Sequence, residues 1–219
     1  DNYACIGGGP STKRLVCFTE RLEEGFLKYS GFRKDAEQNN YSVKGISDKI
    51  YFRKELSEDI TYLKIGDFDS WYPILGDAEK FYASLENTLS KKHLIIDLRT
   101  NGGGGDRNSN ILLKILKNYA PKGHLHVMIN HRTGSNGEQF AHKLRNLKNS
   151  TLYGQRTMGT LAFEIKGSSH NLPCGNFVAV ISSKKHAAYL EFESKGIQPD
   201  VVFTMEKDWI NQVVYYINK

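Results

Sequence analysis

The chain has 219 residues, of which 39% are hydrophobic and 25% are charged, an ordinary globular composition that suffices for one sizeable core, with or without a small annex. Its formal charge of +6 and isoelectric point near 9.1 come from scattered Lys and Arg residues, without the basic stripe and interleaved aromatics typical of nucleic-acid binding. No apolar run approaches the roughly 18 residues of a membrane span, and the three cysteines show no metal-ligand spacing. Nucleic acid, a membrane span and a cysteine-based metal site are therefore not expected.

The first half of the chain predicts a β-rich start and then a strand–helix–strand unit. Residues 1–35 give weak periodic signals, whereas residues 41–56 alternate apolar and polar side chains, which indicates one or two strands. A further strand is predicted over 60–65 and a helix over 78–89, where apolar residues follow helical spacing. The strand over 93–98 is apolar on both faces, as is typical of a central strand in a parallel sheet.

The second half continues this alternation. A helix is predicted over 108–119, a strand over 124–129 and a second helix over 135–147. Because such alternation builds a sheet through right-handed crossovers, the sequence predicts an α/β layered fold. The remaining predicted elements are strands over 152–154, 177–181 and 188–192 and a helix over 209–217.

A run of four glycines, residues 102–105, follows the predicted central strand. Its backbone N–H groups can approach a ligand with no side chain between them, which would suit an oxyanion or anion cradle. The alternative is a tight strand-to-helix turn that needs glycine only for its geometry. A nucleotide-binding loop is not expected, because GxxxxGK[ST] is absent and Arg107 or Asn108 stands where GxGxxG needs its last glycine.

Ser135 lies where the strand over 124–129 leads into the next helix. With Glu138 it fits the capping-box pattern, in which the serine needs no chemical role. The alternative is a nucleophile, because a hydroxyl at a helix N-terminus beside the Asn136 N–H lies where free donors can stabilise an oxyanion. The flanking sequence is not GxSxG. A nucleophilic serine needs a base, and His131, close by in sequence, is a local candidate.

Four segments, in matching order and at similar spacing, resemble the blocks of a known family, the carboxyl-terminal processing or tail-specific serine proteases. The resemblance extends over roughly residues 60–203. The four blocks are residues 97–104 (DLRTNGGG, similar to DLRxNxGG), 133–138 (TGSNGE, similar to [ST]-x-S-x-x-E), 154–159 (GQRTMG, similar to G-E-x-T-x-G) and 196–200 (GIQPD, similar to G-[IV]-x-P-D).

Within this family the chain looks closest to the tricorn-like branch, which uses Ser, His and Glu. Members with a Ser–Lys dyad carry a lysine directly after the third block, where this chain has Thr160, and Lys166 comes too late. Glu193 stands where the tricorn-like branch has its glutamate. The histidine of that branch lies in a D-x-H-[TS] segment well upstream of the sheet, whereas the first histidine here is His93. Either the chain is a fragment of a longer protein, or the protein lacks the base.

The resemblance implies an α/β fold, a crotonase- and Clp-protease-like ββα spiral, as the catalytic core over residues 58–219. A smaller, partly β N-terminal portion over residues 1–57 fits the remainder of a truncated domain. The expected partner is a protein or peptide substrate, with no nucleic acid and no stable membrane span, and no metal or organic cofactor is needed. The family resemblance alone suggests an extracytoplasmic location, which would be periplasmic, secreted or lipid-anchored at the cell envelope.

The implied activity is that of a serine endopeptidase. Ser135 would attack a peptide carbonyl, and Glu193 would orient a histidine supplied from outside the chain. The N–H groups that would hold the oxyanion belong to Asn136 and to Gly103 or Gly104. Two other functions stay open: a catalytically inactive ligand- or peptide-binding module on the same fold, which the missing base favours, and a crotonase-type acyl-CoA enzyme, whose oxyanion hole is built similarly.

Overall fold

The computed structural model describes residues 44–164, 167–173, 175 and 177–219, and its central feature is a β-sheet. The strands are β1 (Tyr51–Glu55), β2 (Ile60–Ile65), β3 (His93–Asp97), β4 (His124–Ile129), β5 (Ser150–Gly154), β6 (Gly167–Asn171), β7 (Val178–Ser182) and β8 (Val201–Val202). Six of them form one sheet in the order β1-β2-β3-β4-β5-β8, while β6 and β7 form a separate antiparallel pair.

In the main sheet, strands β1 to β5 lie side by side in the order in which they occur in the sequence, and β8 lies beside β5. Strands β2 to β5 and β8 run parallel, and β1 is antiparallel to β2. The three crossovers between β2 and β5 advance the chain by one strand each in the same direction, which is the predicted α/β spiral. The crossover helices are α1 (Ile74–Leu85), α2 (Asp106–Tyr119) and α3 (Asn136–Arg145).

The alternation of side chains along each strand divides the apolar residues between two cores. In β2, Leu63 and Ile65 pack with the crossover helices, whereas Ile60 and Tyr62 face the opposite side. That opposite side is covered by α4 (Trp209–Ile217). Both faces of the sheet are therefore buried, and loops at the carboxyl ends of the strands are the place where a site can form.

Two of the differences from the sequence prediction have local reasons. Helix α1 begins at Ile74 rather than at residue 78. Pro73, which has no backbone N–H, is tolerated at this start because the first N–H groups of a helix have no intrahelical partner. The strand predicted over 188–192 is wrong. That segment is a short 3-10 helix, Ala187–Phe192, none of whose residues is buried, so its apolar side chains do not belong to the sheet.

The N-terminal portion is described only from residue 44. Strand β1 precedes the predicted boundary between 1–57 and 58–219, yet it pairs with β2 at the edge of the main sheet. Residues 1–43 lie outside the described residues, as do Lys166 and Cys174, so this domain boundary stays a prediction.

Candidate active site

The loops that follow β2, β3 and β4 meet at the carboxyl ends of these strands. Phe68, three residues after β2, donates its N–H to the carbonyl oxygen of Gly103 at 2.8 Å. On the other side, the Gly134 N–H donates to the carbonyl oxygen of Asn101 at 3.0 Å. The segment of residues 102–105, which we call the glycine loop, therefore lies between the loops that follow β2 and β4.

The Asn101 side chain links the glycine loop to the end of β2 through two hydrogen bonds. Its buried side chain donates from Nδ2 to the carbonyl oxygen of Ile65 at 3.1 Å, and its Oδ1 accepts the Gly103 N–H at 3.0 Å. The first turn of α3 packs against it so closely that a Cβ added at Gly137 would lie 2.8 Å from Asn101 Oδ1. A single amide side chain thus sets the relative positions of loops that follow three strands.

Ser135 precedes α3 in a strained backbone conformation. Its φ of 48° and ψ of −122° lie where residues other than glycine are rarely found. Such a conformation costs on the order of 1–3 kcal/mol and persists only where neighbouring groups hold it, which is characteristic of functional sites. Hydrolases with the GxSxG motif present their serine on a similarly strained strand-to-helix turn, although this chain lacks that motif. Glu138 accepts the Ser135 N–H as the capping-box pattern predicts, but an ordinary helix cap needs no such strain.

The glycine loop and Ser135 are in direct contact. A Cβ added at Gly103 would lie 2.7 Å from Ser135 Cβ and 3.1 Å from the backbone nitrogen of Asn136. Gly103 also has a φ of 118°, which L side chains rarely adopt. Glycine is therefore required at this position by the contact with the serine as well as by the conformation of the loop.

Glu138 is the buried group that holds this turn. Its side chain is fully buried, and Oε2 accepts the N–H of Ser135 at 3.0 Å and that of Thr160 at 2.8 Å. Oε1 accepts the Gly159 N–H at 2.7 Å and the hydroxyl of Thr157. These donors compensate for the burial of a carboxylate. Glu138 is therefore more than a helix cap, because it ties the serine turn to the third sequence block.

The two glycines predicted as alternative oxyanion donors differ in what their N–H groups do. The N–H of Gly103 is already used, because it donates to Asn101 Oδ1. The N–H of Gly104 has no acceptor among the residues that the structure describes. Gly103 is therefore corrected from a candidate donor to a contact residue, and Gly104 is the glycine whose N–H is available.

The N–H of Gly104 is directed away from Phe68, and Gly104 lines the same cleft as Ser135. Gly104 forms a parallel bridge with Phe68, in which Phe68 bonds to the residues on either side of Gly104. In such a bridge the central residue directs its own N–H away from its partner. The N–H of Asn136, the first residue of α3, likewise has no acceptor within the described part of the chain. Both groups can therefore serve as donors to a ligand beside Ser135.

The predicted acid and the predicted local base do not form a pair. Glu193 is partly buried directly after the 3-10 helix, and its Oε2 accepts the N–H of Ala162 at 2.7 Å. Within the described residues no histidine is hydrogen-bonded to Glu193. His131 is exposed just after β4. The structure therefore brings Ser135, Asn136 and Gly104 together but does not place a histidine on Glu193.

An open cleft of about 860 Å³ lies over Ser135, and its lining includes a histidine that sequence reasoning missed. His186 Nε2 lies 3.1 Å from Glu164 Oε1, and Lys184 Nζ lies 2.7 Å from the same oxygen. The hydrogen bond from Lys184 holds the pKa of the Glu164 carboxyl below its usual value. In the sequence, His186 belongs to a small basic cluster, and its return to the site after the β6–β7 hairpin could not be inferred from spacing.

The first sequence block begins with a buried ion pair. Arg99 contacts Asp97 in a bidentate manner, with Nε 2.9 Å from Oδ1 and Nη2 2.7 Å from Oδ2, and the Tyr62 hydroxyl donates to Oδ2 at 2.7 Å. Burial alone would raise the pKa of Asp97, but Arg99 and Tyr62 hold it below its usual value. The guanidinium also lies 5.6 Å from the ring centroid of Trp209. These contacts fix the end of β3, so Asp97 and Arg99 position the glycine loop that follows them.

In the described part of the chain, no group of three or more His, Cys, Asp or Glu side chains could hold a metal ion. No helix in this part is both long enough and apolar enough to cross a membrane.

An α/β spiral thus presents a strained serine at a helix N-terminus against a glycine loop. The family model described as peptidase family S41 matches residues 59–121 and 106–203, about two thirds of the chain. The chain belongs to this family and is by class a serine-type peptidase.

Solved structures show the same fold at low sequence identity. A lipoprotein from Streptococcus agalactiae has a TM-score of 0.55 and 18% identity, over 85% of this chain and 72% of that one. The photosystem II D1 C-terminal processing protease has a TM-score of 0.53 and 18% identity, over 80% of this chain and 54% of that one. The chain therefore spans about half the length of the processing protease. No curated protein matches the chain in sequence.

Proposed function

We propose that the protein hydrolyses peptide bonds with Ser135 as its nucleophile. The observation that carries this proposal is the strained turn of Ser135, which is bound by Glu138 and packed against Gly103. Strain of this kind is expected where a side chain must be presented in one fixed direction. The N–H groups of Asn136 and Gly104 provide the donors that an oxyanion needs.

The proposed chemistry follows from this arrangement. Ser135 Oγ attacks the carbonyl carbon of the peptide and gives its proton to a base, while the carbonyl oxygen becomes an oxyanion held by the two N–H groups. Collapse of this intermediate breaks the C–N bond, and the amine leaves with the proton from the base. Water then hydrolyses the acyl-enzyme through the same two steps. Loss of one oxyanion donor would lower the rate on the order of 10²–10³-fold.

The base has two candidate sources. The family resemblance predicts a histidine outside this chain, oriented by Glu193. Within the chain, His186 is favoured over His131, because it lines the cleft and is hydrogen-bonded to Glu164 as a triad histidine is to its acid. Glu193 also supports the backbone around His186, because it binds the N–H of Ala162, whose carbonyl oxygen accepts the His186 N–H at 2.7 Å.

The substrate and the location are part of the same proposal. A protein or peptide substrate follows from the family, and carboxyl-terminal processing is the activity stated in the name of one structural neighbour. An extracytoplasmic location is in line with the other neighbour, which is a lipoprotein. We therefore infer a processing peptidase that acts on the carboxyl-terminal part of its substrate outside the cytoplasm.

The test is the cleavage of an unfolded polypeptide by the protein and by its Ser135→Ala variant. We expect Ser135→Ala to lower kcat by at least about 10³-fold, because the nucleophile cannot be replaced. Ser168→Ala, which alters an exposed serine of β6, should leave cleavage unchanged. His186→Gln belongs in the same series and should lower kcat if His186 is the base. Cleavage by Ser135→Ala at the rate of the parent would show that the nucleophile assignment is wrong.

A further inference from the structure

Two adjacent aromatic side chains, Trp71 and Tyr72, stand exposed in the cleft that contains Ser135. Trp71 is 74% exposed and Tyr72 is 66% exposed, and both line the cleft. Single exposed apolar residues are ordinary on a protein surface. Two neighbouring aromatic side chains that line a concave site beside a nucleophile are different, because aromatic groups are the usual anchors of ligand pockets. We call this pair the aromatic wall.

Hydrogen bonds and packing order the loop that carries the aromatic wall and hold one of its two rings. The backbone N–H of Trp71 donates to Asp69 Oδ1 at 3.0 Å. The Tyr72 hydroxyl donates to Glu79 Oε2 at 3.1 Å, and its ring lies against Gly76 of α1, where an added Cβ would be 3.0 Å from Tyr72 Cε1. Because the Tyr72 ring is already held, a ligand that binds to it causes little further loss of conformational entropy there.

The loop that carries the aromatic wall lies directly on the glycine loop. Phe68, three residues before Trp71, forms the parallel bridge with Gly104, and a Cβ added at Gly105 would lie 2.3 Å from Ser70 Oγ. The same glycine loop touches the nucleophile. The wall therefore lies on the side of the cleft formed by the loop after β2. This loop contacts Gly104, a proposed oxyanion donor, so a substrate side chain close to the reacting carbonyl can reach the wall.

Four of the five charged side chains that line the cleft, those of Asp106, Arg107, Glu164 and Lys184, have a charged partner, and the fifth, Asp69, accepts the backbone N–H of Trp71. Lys184 Nζ lies 2.7 Å from Glu164 Oε1, and Lys143 Nζ lies 3.3 Å from Asp106 Oδ1. A charged substrate side chain would have to compete with these pairs. An apolar side chain would instead cover the two aromatic rings and remove their surface from water. The cleft thus favours an apolar group at the aromatic wall.

We propose that the aromatic wall is a substrate subsite that binds an apolar peptide side chain, such as that of Leu, Met or Phe, close to the bond that is cleaved. This inference rests on the proposed function. It makes Trp71 and Tyr72 specificity-determining residues, which contribute to binding and take no part in the transfer of protons or of the acyl group.

The experiment uses a peptide whose cleaved bond has been mapped by mass spectrometry. Each residue that flanks the bond is changed in turn to Leu, Asn or Lys, and kcat/KM is measured for the parent, for Trp71→Ala and for Tyr215→Ala. Tyr215 is the matched control, because it is 65% exposed but lies on α4, on the opposite face of the sheet. At one flanking position the parent should prefer Leu over Asn by at least about tenfold.

At that position Trp71→Ala should lower kcat/KM for the Leu peptide by about 10–100-fold and leave the Asn peptide within about twofold of the parent. Tyr215→Ala should change neither. Equal losses on the Leu and Asn peptides, no loss on either, or a Trp71-dependent preference for Lys would each overturn the apolar subsite.

Labelling with a small fluorophosphonate separates this proposal from the proposed function. Trp71→Ala should still be labelled at Ser135 at the parent rate, because a small probe does not need the aromatic wall. Labelling slowed as strongly as cleavage would mean that Trp71 supports the nucleophile rather than the substrate, and would overturn the subsite. Failure of the proposed function is detected independently, by undiminished peptide cleavage in Ser135→Ala.

Discussion

The strain at Ser135 is offset by the hydrogen bonds around it. The conformation costs on the order of 1–3 kcal/mol, and a hydrogen bond to a charged acceptor contributes about 1.5–3 kcal/mol. Glu138 accepts such bonds from Ser135 and from residues 157–160, so the serine turn and the third sequence block are stable only as a unit. Stability is exchanged for a fixed serine, as is common at functional sites.

Replacement of Ser135 by glycine should therefore make the protein more stable. Ser135→Gly keeps the backbone N–H that binds Glu138 and removes most of the strain, while the freer unfolded chain costs about 0.5–1 kcal/mol. We expect the free energy of unfolding to rise by about 1 kcal/mol, measured by urea denaturation. Ser168→Gly, in the exposed strand β6, should lower it instead. Equal losses in the two variants would contradict the strained turn.

Residue types and their order in the sequence are enough to name Ser135 as a candidate nucleophile and the glycine loop as a candidate oxyanion cradle. They do not give the geometry of either. The sequence could not show that the N–H of Gly103 is occupied by Asn101 while that of Gly104 is available. Nor could it show that Trp71 lines the cleft, because exposure depends on what the rest of the chain covers. These properties arise from contacts between residues that are distant in sequence.

Among the elements, the starts of β3 and β4 carry a cluster of three histidines on the α4 side of the sheet. His93 is opposite His124 in the parallel register, and His93 Nδ1 lies 3.1 Å from His126 Nε2. His126 Nδ1 lies 3.1 Å from the Tyr153 hydroxyl on β5. Burial, and then the charges of His124 and His93, lower the pKa of His126 to about 3. Burial also lowers the pKa of His93 and of His124.

This cluster should make the sheet sensitive to acid. The unfolded chain binds protons on its histidines below a pH of about 6.5, whereas folded His126 stays neutral until about pH 3. Its contribution to stability is therefore complete above pH 6.5 and declines as the pH falls toward 3, by a few kcal/mol in total. His126→Gln should flatten the dependence of the unfolding free energy on pH in this window, whereas His170→Gln, in exposed β6, should not. An unchanged slope in His126→Gln would refute this account.

Elements with a clear period were predicted well, whereas elements that depend on distant packing were not. The strands over 60–65 and 124–129 and the helix over 209–217 are confirmed. In each of them the spacing of the apolar residues within the segment is enough to predict the element and its buried face. The segment 188–192 is apolar but lies outside the sheet, and β6 consists of exposed residues with no apolar pattern. Neither could be assigned from local sequence, because the deciding contacts are not local.

For the whole molecule, the order of strands and helices predicted the α/β layered fold, and the family resemblance implied that it is a spiral. Consecutive parallel strands with helical crossovers leave few arrangements, and the first three sequence blocks then fall at the carboxyl ends of neighbouring strands, whereas the fourth block precedes β8. The location of the wall formed by Trp71 and Tyr72, and of His186, required the path of the loops in space. The path after residue 154 leaves the sheet for the β6–β7 hairpin and returns to it only at β8.

The most direct test of the central claim is labelling of the native protein with a small fluorophosphonate, followed by peptide mapping. The account predicts a single modified residue, Ser135, at a rate that falls to background when the protein is unfolded in urea, since only the folded turn joins the hydroxyl to the N–H groups of Asn136 and Gly104. Ser135→Ala should not be labelled. Absence of labelling in the native protein, or labelling that survives unfolding or maps to another serine, would contradict it.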